Sequence, residues 1–173
     1  MGLTKPNLVL AFLRFTKKGD SQKILHQLKY KNRAAVGVEL GRIYGNILME
    51  SGYQNQWDQI IPVPLHALKQ KRRGYNQSEQ FAIGISEAMQ IPVKLALKRT
   101  QFTETQTSKS RMERIENVAG VFLLQESHGV ENQRILLVDD VMTTGATLST
   151  CANVLLKANC MSVDIAVIAA GKS

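Results

Sequence analysis

Apolar positions along the chain fall into stripes of helical period and short runs of strand length. Val36, Leu40, Ile43, Tyr44, Ile47 and Leu48 recur at helical spacing and predict a helix that Gly52 would stop. Ile24, Leu25 and Leu28 predict a shorter helix over residues 21–29. Residues 58–64, Asp-Gln-Ile-Ile-Pro-Val-Pro, read as a short buried strand entering a proline-locked turn. Phe81, Ala82, Ile85, Ala88 and Met89 share one helical face. Strands are predicted over 92–98, 121–124, 134–139 and 162–169. Between the last two, Leu148, Cys151, Ala152 and Leu155 form a helical stripe.

From 99 to 118 the periodicity dissolves into a polar stretch carrying Lys109, Arg111 and Arg114. So long a loop inside one domain predicts function or mobility, with room for one helical turn over 110–117. Strands alternating with helices predict an α/β fold, a mostly parallel twisted sheet with helices on both faces. Ligands in such sheets bind beyond the carboxyl ends of the strands. The strand-to-helix turns after Pro62 and after Asp139 are therefore the places to look.

The second of these turns is rich in chemistry. Residues 135–147 read Ile-Leu-Leu-Val-Asp-Asp-Val-Met-Thr-Thr-Gly-Ala-Thr. Four apolar residues predict a buried strand, with Asp139 and Asp140 at its end and a small-residue turn opening a helix. Gly145 permits close approach of backbone to an anion. The first amides of the helix point at that anion, and the helix dipole favours its charge. Thr143, Thr144 and Thr147 add hydroxyl donors, and ionised Asp139 and Asp140 accept hydrogen bonds from sugar hydroxyls. A phosphate site beside acceptors for a vicinal diol describes a ribose 5-phosphate.

Composition narrows the picture. A length of 173 residues suits one domain with a real core. The apolar stretch 8–15 is far shorter than the roughly 18 residues that cross a bilayer, and Arg14 interrupts it. No small-residue cleavage site follows it, so a signal peptide is not expected and a cytoplasmic location is. The two cysteines, Cys151 and Cys160, form no CxxC pair and no disulfide framework. Cys151 lies on an apolar stripe and reads as a buried, inert thiol. His26, His66 and His128 are not spaced for a metal. The formal charge of +8 favours polyanionic partners, among them phosphorylated small molecules, nucleic acid and acidic proteins. Aromatic content of 6% counts against a single-strand-binding platform. Lys69, Lys71, Arg72 and Arg73 form the densest basic cluster, either a solvated face or the wall of an anion site. Asn76 and Gln77 suit the cap of the following helix.

Residues 135–147 match without a gap the PRPP-binding motif of type I phosphoribosyltransferases, PRPP being 5-phosphoribosyl 1-pyrophosphate. Upstream, the Pro62-Val63-Pro64-Leu65 turn runs on to Arg73-Gly74-Tyr75-Asn76-Gln77. This pair resembles the ComF family of competence-associated phosphoribosyltransferase-like proteins. Gln106, Arg114, Asn117 and Phe122 match that family's loop pattern, and residues 99–102 resemble the loop start of glutamine PRPP amidotransferase. The resemblance runs from about Tyr30 to Ala169. Many members begin with a cysteine-rich zinc ribbon, whereas this sequence has no cysteine before Cys151.

The resemblance implies a type I phosphoribosyltransferase-like fold, with an N-terminal helical hood over residues 1–57 that selects the acceptor and a core over 58–173. Val63, Pro64 and Leu65 would meet the pyrophosphate. Pro64 offers no amide, so Arg73, with Arg72 and Lys71 behind it, would contribute more. Thr143, Thr144, Gly145, Ala146 and Thr147 would hold the 5-phosphate. Asp139 and Asp140 would orient the ribose hydroxyls, stabilise positive charge on the sugar and make indirect contacts to Mg²⁺. Arg99 and Arg114, beside and within the long loop, would close on the leaving group. The expected activity is transfer of phosphoribosyl from PRPP to a nitrogen acceptor with release of pyrophosphate. The alternatives are a PRPP- or nucleotide-sensing module without turnover and an accessory protein of DNA uptake. Nucleic acid, competence proteins and further copies of the chain are the macromolecular partners these readings allow.

Overall fold

The computed structural model describes residues 7–14, 33–100, 121–125 and 129–171. In chain order its elements are β1 (Val9–Arg14), α1 (Ala34–Glu50), β2 (Gln59–Pro62), α2 (Ala67–Arg73), α3 (Gln77–Met89), β3 (Leu97–Arg99), β4 (Phe122–Leu124), β5 (Arg134–Met142), α4 (Ala146–Lys157) and β6 (Ser162–Ala170). Four strands form a parallel sheet in the order β1-β6-β5-β2. β3 and β4 form a separate antiparallel pair.

The unbroken apolar runs of β5 and β6 follow from burial on both faces. Ile135 and Leu137 pack with Leu148, Cys151, Ala152 and Leu155 of α4, and with Leu97 and Phe122 of the small sheet. Leu136 and Val138, pointing the other way, pack with Tyr44 and Leu48 of α1 and Phe81 and Ile85 of α3. Cys151 and Cys160 are buried free thiols. α1 and α3 touch backbone to backbone. A Cβ on Gly41 would overlap the Phe81 carbonyl oxygen, and one on Gly84 would overlap the Val38 carbonyl oxygen. The far end of the sheet is closed by polar pairs. Arg134 grips Asp58 through Nε and Nη2 at 3.1 and 2.6 Å. Buried Asp164 accepts from the Trp57 indole at 2.8 Å.

Three expectations change. The segment 1–57 is not helical throughout. Val9–Arg14 within it is an edge strand of the core sheet, paired with β6 from Val9–Ile165 to Arg14–Ala170. Residues 92–98 do not form one strand: Val93 makes a single bridge to Ile60, and β3 begins at Leu97. Finally, β5 does not end at Asp139 but runs to Met142, because β6 continues beside it to Ala170. The predicted helix over 21–29 and the helical turn over 110–117 lie outside the described residues. Among the described residues, no helix is long and apolar enough to cross a membrane.

Candidate functional site

β2 and β5 are parallel neighbours, with Pro62 opposite Val138, so their carboxyl ends open on the same side. The Val63 amide donates to the Val138 carbonyl at 2.8 Å and carries the pairing into the turn. A cleft of about 230 Å³ lies there. The turn Val63-Pro64-Leu65 and α2 form one wall, the start of α3 the floor, and Asp139, Asp140 and Val141 of β5 another wall, with Arg99 and Thr147 completing the lining.

α2 is short and capped at both ends. His66 Nδ1 accepts from the Leu68 amide at 3.2 Å, and Gly74 ends the helix with φ of 88°. His66 thus caps α2. Helical period divides the basic cluster: Lys69 and Arg73, one turn apart, line the cleft, whereas Lys71 and Arg72 are exposed.

The start of α3 is polar and buried. Asn76, Gln77 and Ser78 are 6%, 2% and 4% exposed, so their hydrogen bonds go to protein rather than bulk water. Asn76 caps α3 by accepting from the Ser78 amide at 3.2 Å, and its Nδ2 donates to the Val63 carbonyl at 3.0 Å. Gln77 Oε1 accepts from Arg73 Nη1 at 3.1 Å. Ser78 Oγ donates to Asp139 Oδ1 at 2.8 Å.

Asp139 Oδ1 also accepts from the Asp140 amide at 2.9 Å. Burial, and then the neighbouring Asp140 charge, push the Asp139 carboxyl well above the usual carboxylate range, while the Ser78 hydroxyl pulls it back. Asp139 is half-buried, the first residue after the fully buried run 135–138 of β5. Facing it is Arg99, whose guanidinium lies 5.4 Å from the Phe122 ring centroid. Burial lowers the Arg99 pKa, and the neighbouring Cys151 and Asp139 partly restore it. Arginine remains cationic under such shifts.

Beyond Met142, Gly145 adopts φ of 73°, a left-handed conformation that favours glycine, and α4 starts at Ala146. Thr144 Oγ1 lies 3.5 Å from the Ala146 amide. Thr147 lines the cleft, whereas Thr143, Thr144 and Gly145 form the turn leading to it and Ala146 opens α4. β5 runs three residues, roughly 10 Å, past Asp139 before this turn begins. The structure thus brings Val63, Pro64, Leu65, Arg73, Arg99, Asp139, Asp140 and Thr147 around one cleft. Gln106, Lys109, Arg111, Arg114 and Asn117 lie outside the described residues. Of the basic cluster that the sequence offered as an anion-site wall, Lys69 and Arg73 line the cleft; sequence reasoning did not name Ser78, and for Asn76 and Gln77 it specified only a cap. A buried polar start to a helix becomes visible only once the helix is docked.

The family model for the phosphoribosyl transferase domain matches residues 21–173. The chain belongs to the phosphoribosyltransferase domain family. Within it, the chain groups with ComF-type proteins. It is 31% identical over 147 residues to competence protein F of Haemophilus influenzae, covering 82% of this chain and 64% of that protein. It is 32% identical over 150 residues to the DNA utilization protein YhgH of Escherichia coli O157:H7, covering 82% and 63%. The chain thus spans somewhat under two thirds of these relatives. Among solved structures, the glutamine PRPP amidotransferase of Bacillus subtilis superposes with a TM-score of 0.55 at 22% identity, over 83% of this chain and 30% of that one. That likeness concerns the phosphoribosyltransferase fold.

Proposed function

We propose that the cleft binds PRPP together with Mg²⁺ and that the protein transfers the phosphoribosyl group to a nitrogen acceptor. The observation that carries this reading is the polarity of the cleft. Lys69, Arg73 and Arg99 share it with the acid pair Asp139 and Asp140, and Thr147 reaches it from the start of α4. Such a lining matches a ligand with an anionic diphosphate, a vicinal diol and a phosphate.

Each group then has a task. The turn 63–65, Lys69 and Arg73 neutralise the diphosphate, and Arg99 adds charge from across the cleft. Asp139 and Asp140 accept from the ribose hydroxyls and offset positive charge at C1. Thr147 and the turn 143–146 take the 5-phosphate. As the bond from C1 to pyrophosphate oxygen breaks, its electron pair leaves with pyrophosphate. The acceptor nitrogen forms the new bond with its lone pair and loses its proton to solvent. No covalent enzyme intermediate is required, because positioning and charge lower the barrier.

Mg²⁺ takes oxygen ligands and keeps several waters. Among the described residues, no cluster of three or more His, Cys, Asp or Glu could hold a metal ion. The two adjacent carboxylates fit an ion that arrives on the diphosphate and needs only one or two protein oxygens. When bound, it would further neutralise the leaving group.

The names of the relatives favour a second reading, in which PRPP or nucleotide binding serves DNA uptake without turnover. Pyrophosphate release, followed with PRPP, Mg²⁺ and a panel of bases and amines, separates the two. Release that depends on one acceptor class is the expected result. PRPP binding without release for any acceptor would favour the second reading, and absence of binding would remove both.

A further inference from the structure

We infer that the first turn of α3, Asn76-Gln77-Ser78, is the positioning element of the cleft, with Gln77 setting Arg73 on the diphosphate side and Ser78 setting Asp139 on the ribose side. The inference rests on the PRPP reading of the cleft and adds roles for residues that this reading leaves unused.

An ordinary helix cap would need only part of what is present. The bond from the Ser78 amide to Asn76 Oδ1 completes the cap. Three further polar contacts leave the same turn for three different elements. Asn76 Nδ2 holds the Val63 carbonyl in the turn after β2, at 3.0 Å. Gln77 Oε1 holds the Arg73 guanidinium at the end of α2, at 3.1 Å. Ser78 Oγ holds Asp139 of β5, at 2.8 Å. All three side chains are buried, in a position where apolar residues would pack without loss of hydration.

The geometry also explains how long side chains keep a fixed direction. Arg73 is flexible on its own, and bonding to a buried amide oxygen restricts its fork. Asp139 can rotate about its side chain, and two donors on Oδ1, the Ser78 hydroxyl and the Asp140 amide, fix it. The turn itself is seated firmly, because α3 is held backbone to backbone against α1 at Gly41 and Gly84. Gln77 and Ser78 touch the groups that would meet ligand, and act through them.

Two half-ligands test this: ribose 5-phosphate for the sugar side, and inorganic pyrophosphate with Mg²⁺ for the other. Binding of each is titrated into the wild type, Ser78→Ala and Gln77→Leu, with thermal melting to check folding. Ser78→Ala is expected to weaken ribose 5-phosphate about tenfold, the scale of one buried hydrogen bond left unmade, and to leave pyrophosphate within about twofold. Gln77→Leu is expected to do the reverse. Ser78→Thr retains the hydroxyl donor and should recover ribose 5-phosphate binding. Should Ser78→Ala fail to fold, Ser78→Cys keeps the volume with a weaker donor and takes its place. Folded variants that weaken both ligands equally, or neither, overturn the inference while leaving the PRPP reading intact. A wild type that binds neither half-ligand overturns that reading, and this inference with it.

Discussion

The half-buried Asp139 carboxylate follows the buried run of β5, one residue from a second carboxylate and in contact with the Ser78 hydroxyl. Burial and the Asp140 charge disfavour its ionised form in the folded protein. The unfolded chain pays no such penalty, so the sign is fixed. Stability from this group is fully present below the ordinary aspartate pKa and is lost as pH rises through the raised folded value. Asn at 139 imitates the protonated carboxyl, and its Oδ1 still accepts from Ser78 and from the Asp140 amide. Asp139→Asn should therefore melt above the wild type at about pH 8, and the gap should close by about pH 4. The same change should weaken PRPP and, where turnover exists, reduce it by about 10²-fold. A variant that melts below the wild type at the higher pH would contradict this account of the site.

At the scale of elements, α3 links packing to chemistry: its middle is locked to α1 and its first turn reaches the cleft. Gly84→Ala forces a methyl group against the Val38 carbonyl oxygen, and overpacking of this kind costs about 1–3 kcal/mol. We expect a lower denaturant midpoint with an unchanged slope, and weaker PRPP binding in the folded variant because the turn at 76–78 shifts. Unchanged stability would show that the two helices separate at no cost. Much of this layout was legible beforehand. Stripes of helical period located α1, α3 and α4, and the apolar runs located β2, β5 and β6. β1 was not legible, because a short apolar run next to Arg14 gives no alternation, and its partner β6 lies some 150 residues away in sequence. α2 was hidden for a different reason. Six of its seven residues, Leu-Lys-Gln-Lys-Arg-Arg, offer one apolar position and no stripe, so the caps at His66 and Gly74 define it.

For the whole molecule, the arrangement of the site follows from strand order. Placing β2 beside β5 brings a turn near residue 63 and a carboxylate pair near residue 139 to one edge of the sheet. The local chemistry of each segment was readable from its residues. Their meeting around one cleft, and the polar floor supplied by Asn76, Gln77 and Ser78, required the tertiary structure. The central claim is that this cleft takes PRPP as one ligand, diphosphate and ribose together. Isothermal titration of PRPP with Mg²⁺ into the wild-type protein tests it most directly. The account predicts saturable one-to-one binding that pyrophosphate and ribose 5-phosphate each displace. A flat titration at millimolar PRPP, or binding that neither half-ligand displaces, would contradict it.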